Sequence, residues 1–302
     1  MTLPSTPGPD AAASHPSTRE WSTLVDVAVI FGGPSPEHDV SVLTGLQAAH
    51  ELLGAVGPVR ALYWSKTGEF FEVEPRLEAT AFIEGVPRGS TPLRLGIGAD
   101  GGFGAEGGRF GRSRNQPVDV AIVCCHGGPG EDGSLQAALD LAGIAYTGPT
   151  VAGAALGMDK LAFGAVMAGA GLPTLPRVLL DEETEDPGFE GPYIVKPRFG
   201  GSSIGIEVVA DTATARSLLA TSPHLRAGAV LEPYRTDFFD LQVGIRSWPR
   251  VELSAIDAFR RNIRVLYAYA PMFDTDDLEI GYLRRWAAHL NVDDLLEELS
   301  GA

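Results

Sequence analysis

Only three lysines occur in the 302 residues, Lys66, Lys160 and Lys196, and two of them stand in stretches built of small residues. Lys196 follows Tyr193-Ile194-Val195, which reads as a short buried strand that delivers the ammonium to its end, where Pro197 is expected to stop the ladder. Next comes Phe199-Gly200-Gly201-Ser202-Ser203-Ile204-Gly205, a loop of small residues able to close over a ligand. Its backbone N–H groups and the Ser202 and Ser203 hydroxyls suit phosphate oxygens, and the neighbouring lysine adds a mobile point charge. A glycine-rich hairpin with one solvated lysine would look the same locally. The scarcity of lysine, and the similar setting of Lys160 after Gly157-Met158-Asp159, argue against it.

Two turns offer a second kind of chemistry. Val25 to Phe31 is a nearly continuous apolar run, the pattern of a parallel strand buried on both faces. It ends in Gly32-Gly33-Pro34-Ser35-Pro36, then Glu37-His38-Asp39, and a helical pattern runs from Val40 to Leu53. Val118 to Cys125 is a strand of the same kind, leading into His126-Gly127-Gly128-Pro129-Gly130-Glu131-Asp132-Gly133 and a helix from Ser134. Ligands in open α/β sheets sit beyond the carboxyl ends of the strands, so Glu37 and His126 are placed to face one cavity. An acid at a helix N-terminus satisfies the dipole, which accounts for Asp39. Glu37 does the same or meets a cationic amine, and His126 packs the turn or meets a ligand; the turns alone leave both pairs of readings open.

The elements that must carry these residues follow in order. Residues 1–22, rich in Pro, Ser and Ala, read as a disordered tail and lack the basic and apolar regions of a signal peptide. Residues 23–148 read as an N-terminal α/β domain, with a second strand at Pro58 to Ser65 and a glycine-rich hairpin or loop from Gly96 to Arg112 in a region poor in helix signals. Residues 149–234 read as a central subdomain: helices around Met158-Asp159-Lys160, a strand at Leu175 to Leu180, the lysine strand and loop, a helix at Thr212 to Ala220, and a strand through Val230-Leu231-Glu232-Pro233-Tyr234. Residues 235–302 form a shorter C-terminal subdomain, with alternating antiparallel strands at 241–246 and 251–256 and two closing helices. A formal charge of −16 excludes a general nucleic-acid binder. No apolar run reaches the roughly 18–20 residues that span a bilayer, so no membrane partner is expected. Cys124 and Cys125 are adjacent on a strand and face opposite ways, which disfavours a disulfide and points to a reducing, cytoplasmic setting.

At this point the residues resemble the D-alanine–D-alanine ligases of the ATP-grasp superfamily. FGGPSPEHDVS, HGGPGEDGSLQ with GIAYTG, MDK, VKP with its GSS loop, and LEPY occur in the family's order between residues 25 and 234. The resemblance implies an α/β fold: a parallel-sheet pre-ATP-grasp domain, then an ATP-grasp α+β region, truncated or internally deleted near the C-terminus. It implies that Lys160, Lys196, Ser202 and Ser203 hold ATP phosphates, and that Glu232 and Tyr234 hold the adenine. Asp237 or Asp240 would hold the ribose. It gives Glu37 the ammonium of the first amino acid and His126 a place near that amino acid's carboxylate. Ser41 and Ser202 would join in a hydrogen-bonded triad near the substrates. The implied activity is ATP-dependent ligation of one D-amino acid, D-alanine, to the amine of another through an acyl phosphate. Mg2+ is the expected metal, amino acids are the partners, and a homodimer is the implied assembly. The alternative is a descendant that binds nucleotide or amino acid without turnover.

The pattern breaks in the last third. The family places two magnesium ions on an Asp and a Glu-x-Asn strand, yet none of Asn115, Asn262 and Asn291 has an acid two positions before it. Met272 falls where the family has a loop lysine, and Asp274-Thr275-Asp276-Asp277 reads as an acidic cap without the EF-hand pattern. The metal ligands are therefore not identifiable from the sequence.

Overall fold

The computed structural model describes residues 25–56, 58–105, 117–237, 240–242, 245–246, 252–253 and 257–259. The chain divides into two compact units, Met1–Thr174 with Arg198–Gly201, and Leu175–Pro197 with Ser202–Ala302.

The first unit is built on β1 (Val27–Gly32), whose alternation decides both of its cores. Ala28 and Ile30 point to one face and join Leu62, Trp64, Ala121, Leu135 and Leu139. Val29 and Phe31 point to the other and join Val42, Leu46, Ala49, Ala61 and Tyr63. The apolar run is continuous because both faces are covered. Helix α1 (His38–Ala55) lies over one face and α2 (Ser134–Ala142) over the other. Gly45 lets α1 come close, since a Cβ there would lie 2.2 Å from the Phe31 Cβ.

β1 pairs in parallel with β2 (Val59–Trp64) and with β6 (Val120–Val123), and β6 pairs in parallel with β7 (Ala145–Tyr146). The sequence reading leaves 66–117 without strands apart from one hairpin. The structure corrects this: β3 (Phe70–Val73), β4 (Thr91–Gly96) and β5 (Gly102–Ala105) extend the sheet antiparallel, in the order β5-β4-β3-β2-β1-β6-β7. These strands are short and half-exposed, so their period is diluted by glycine, and Phe70, Leu93 and Phe103 carry most of the packing. The expected hairpin is the β4–β5 pair; its continuation through 106–116 lies outside the described residues.

Helices α3 (Val151–Met158) and α4 (Lys160–Gly169) meet at a bend of 100°. The sequence reading groups them with the central subdomain, and the structure places them in the first unit. The start of α3 packs on the turn before α2: a Cβ at Gly133 would lie 2.8 Å from the Val151 carbonyl oxygen. No single helix among the described residues is long and apolar enough to cross a membrane.

The second unit is an antiparallel sheet in the order β10-β9-β11-β8, from β8 (Val178–Leu180), β9 (Tyr193–Pro197), β10 (Glu207–Val209) and β11 (Ala229–Pro233). One face packs Tyr193, Val195, Val209, Ala229 and Leu231 with Ala215 of α5 (Thr212–Thr221) and with Leu225. Pro197 ends the ladder, as the sequence suggests: it is the last residue of β9, paired with Ala229. Beyond it, β12 (Asp240–Gln242) pairs antiparallel with β15 (Asp257–Phe259), and β13 (Ile245–Arg246) pairs with β14 (Glu252–Leu253). The expected antiparallel strands are therefore present; the two closing helices lie outside the described residues.

Candidate functional site

The turn after β1 and the turn after β6 lie at the same edge of the parallel strands, the edge where open sheets form their clefts. Glu37 occupies the N-cap position of α1, yet its side chain makes no cap hydrogen bond. The residue is 8% exposed. Its carboxylate is walled by glycines: a Cβ on Gly127 would lie 2.1 Å from Oε2, and one on Gly201 would lie 3.4 Å from Oε1. Gly127 directly follows His126, so the structure brings the two turns together around this acid. His126 Nε2 lies 3.0 Å from Thr44 Oγ1. That hydroxyl donates its single proton to the Val40 carbonyl at 3.1 Å, so the imidazole donates through Nε2.

Ser41 is fully buried. Its Oγ accepts from Gly32 N at 2.8 Å and donates to the Cys124 carbonyl at 3.0 Å, tying the ends of β1 and β6 to the first turn of α1. Beside it, buried His38 donates from Nδ1 to the Gly33 carbonyl at 2.7 Å, so Nε2 accepts from the Tyr63 hydroxyl at 3.1 Å. Asp39 sits in the first turn of α1 and pairs with Lys66 at 2.9 Å. Burial pushes the Cys124 and Cys125 thiols up to about 11 and about 12, so neither is a nucleophile.

Burial lowers the His38 pKa below the ordinary value of 6.5. A depressed imidazole pKa means that the unfolded chain binds the proton more readily. The stability His38 contributes is complete above pH 6.5 and is lost as the pH falls below it. Melting temperature is therefore expected to fall more steeply between about pH 6.5 and 5 in the native protein than in His38→Asn, which keeps a donor for Gly33 but does not titrate. Parallel curves would contradict the assignment.

A second cluster of the expected residues comes from strand alternation in the second unit. Lys196 pairs across the sheet with Val230, and Ile194 with Glu232, so Lys196 and Glu232 are diagonal neighbours on the face turned away from the apolar core. Arg177 stands one residue beyond the Val178–Leu231 pair and reaches the same place. Lys196 Nζ lies 2.5 Å from Glu232 Oε2, and Arg177 Nη2 lies 3.3 Å from Oε1. Glu232 is 3% exposed, so the carboxylate is held between two cations. Tyr234 continues the strand, its N–H donating to the Pro192 carbonyl at 2.8 Å. Asp237 is exposed and is held at about 2 by the hydrogen bonds of the Arg235 guanidinium. The Asp240 side chain and the expected C-terminal metal region lie outside the described residues.

The glycine loop has a strained tip. Ser202 and Ser203, both exposed, adopt positive φ of 48° and 58°, a region that side chains other than glycine rarely enter. Gly205 must be glycine, since a Cβ there would lie 2.4 Å from the His224 Cβ. Lys160 opens α4, and its Nζ donates to the Gly200 carbonyl at 2.5 Å.

Sequence reasoning missed several members. Arg177 is one arginine before a strand, and only the register brings it to Glu232. Asp159, the N-cap of α4, had a legible signal: an acid directly before a helix start. Among the described residues no three His, Cys, Asp or Glu side chains converge to hold a metal ion.

Residues 26–149 match the family model described as the D-ala D-ala ligase N-terminus. The D-alanine–D-alanine ligase of a Nitratiruptor species is 31% identical over 211 residues, covering 68% of this chain and 58% of that protein. The ligase of Rhodococcus jostii is 35% identical over 226 residues, with the same two coverages. Among solved structures, the D-alanine–D-alanine ligase from Helicobacter pylori superposes with a TM-score of 0.64 at 24% identity, over 79% of this chain and 75% of that one. The fold is thus of the ATP-grasp ligase type. The chain belongs to the D-alanine–D-alanine ligase family, and it spans about three-fifths or less of the curated relatives it matches.

Proposed function

We propose that this chain carries ATP-dependent ligation of D-alanine to the amine of a second D-amino acid, a step of peptidoglycan precursor synthesis performed in the cytoplasm, as a homodimer. The observation that carries the reading is the Glu37 carboxylate, buried at the strand ends where Gly127 and Gly201 approach it closely. An ammonium suits this acid, because hydrogen bonds between a cationic donor and a carboxylate are among the strongest a site can make. The names of the family relatives support D-alanine as the amino acid.

In the reaction, a carboxylate oxygen of the first amino acid attacks the γ-phosphorus of ATP, and ADP leaves. The amine of the second attacks the carbonyl carbon of the acyl phosphate, loses a proton, and phosphate departs with the original carboxylate oxygen. Glu37 holds the first ammonium, and His126 stands near its carboxylate. Ser41 fixes the turn that presents Glu37. Lys160, Lys196 and the loop at Ser202 and Ser203 carry the phosphates, where fixed cations and N–H groups stabilise the charge on the transferring group. Glu232 and Tyr234 line the adenine side. Mg2+ belongs to this proposal through the family alone, since the described residues supply no site for it.

Incubation with D-alanine, ATP and magnesium is expected to yield ADP and D-alanyl-D-alanine in equal amounts. Binding of both ligands without ADP release would instead mark a non-catalytic binder.

A further inference from the structure

Asp159 stands at the 100° break between α3 and α4 and is 8% exposed. Its Oδ1 caps α4 by accepting from Leu161 N and Ala162 N, both at 3.1 Å. The same carboxylate takes a two-pronged bond from Arg198, Nε to Oδ1 at 2.9 Å and Nη2 to Oδ2 at 2.5 Å. Arg198 opens the glycine loop, and its guanidinium lies 5.2 Å from the centre of the Phe199 ring. The backbone reinforces the junction: Lys160 N donates to the Arg198 carbonyl at 3.0 Å, and Gly200 N lies 3.1 Å from the Met158 sulfur. Lys160 Nζ then reaches the Gly200 carbonyl. One end of a loop whose tip is strained is thus bolted to the helix break that carries Lys160.

We propose that Asp159 and Arg198 are a positioning pair for the nucleotide site, holding the start of the glycine loop so that the Lys160 ammonium is seated before the phosphates arrive. The proposal rests on the nucleotide-binding reading above. Fixing a glycine-rich loop in advance removes ordering entropy that binding would otherwise have to meet. Arginine is needed for the task, since its planar fork matches both carboxylate oxygens and a lysine would meet one. The hydrogen bonds from Arg198 hold the Asp159 carboxyl below its ordinary range, in keeping with a permanently charged pair.

A cap-only role for Asp159 is separable, because asparagine caps a helix about as well as aspartate. Asp159→Asn should leave the melting temperature near that of the native protein. It should still weaken binding of a non-hydrolysable ATP analogue with magnesium by about five-fold, the net scale of one ordinary hydrogen bond. Arg198→Gln should match it, Arg198→Lys should fall between, and the double variant should lose no more than either single one. Amide exchange at 199–201 should quicken in each variant without nucleotide. Native-like affinity in Asp159→Asn and Arg198→Gln, or losses that add in the double variant, would overturn the pair's role. Absence of analogue binding by the native protein would overturn the nucleotide reading itself, and the pair's role with it.

Discussion

Glu37→Gln is expected to lower D-alanine affinity about 100-fold while leaving ATP affinity unchanged, since truncating one partner of a buried charge pair costs on the order of 2–5 kcal/mol. The side chain keeps its size and its place among Ser35, Gly127 and Gly201, so the loss reports charge and not shape. Gly127→Ala should produce a comparable loss by another route. Its Cβ would stand 2.1 Å from the carboxylate oxygen, and its φ of 64° lies where an L side chain costs about 1–2 kcal/mol. Calorimetric titration with D-alanine separates the outcomes. Native affinity in Glu37→Gln would remove Glu37 from the substrate, and loss of ATP binding as well would mean a collapsed fold.

Lys196→Met is expected to raise the dissociation constant for ATP by at least about ten-fold, because a hydrogen bond to a charged group is worth about 1.5–3 kcal/mol. An ammonium has three donors, and the Glu232 bond uses one. The substitution keeps the aliphatic stem over the sheet, and Glu232 retains Arg177, so no buried carboxylate is stranded and the fold should persist. Equal ATP affinity in a folded Lys196→Met would leave this lysine as a structural partner of Glu232 and nothing more.

Much of this was legible in the residues. The VAVIF run announced a strand covered on both faces, and the two cores that divide Ala28 and Ile30 from Val29 and Phe31 are that pattern made physical. Glu37 and His126 could be placed at one edge because parallel strands end together. What stayed hidden depends on register and on close approach. Arg177 reaches Glu232 through a pairing that no local pattern encodes. Gly127 and Gly201 look like turn residues in the sequence, but in the fold both approach the Glu37 carboxylate, and a Cβ on Gly127 would collide with it. The β3, β4 and β5 strands were obscured by glycines and by faces only half buried, where period-two alternation fades. Asp159 and Arg198 lie 39 residues apart, and neither type nor spacing says that one clamps the other.

The central claim is that this chain activates a carboxylate with ATP, and one isotope experiment tests it most directly. D-alanine carrying heavy oxygen in both carboxylate positions is supplied with ATP and magnesium, and the released phosphate is examined by mass. The account predicts one heavy oxygen in each phosphate, one ADP per phosphate, and far slower release of labelled phosphate by Glu37→Gln at the same sub-saturating D-alanine concentration. Unlabelled phosphate, or ADP release indifferent to D-alanine, would contradict it.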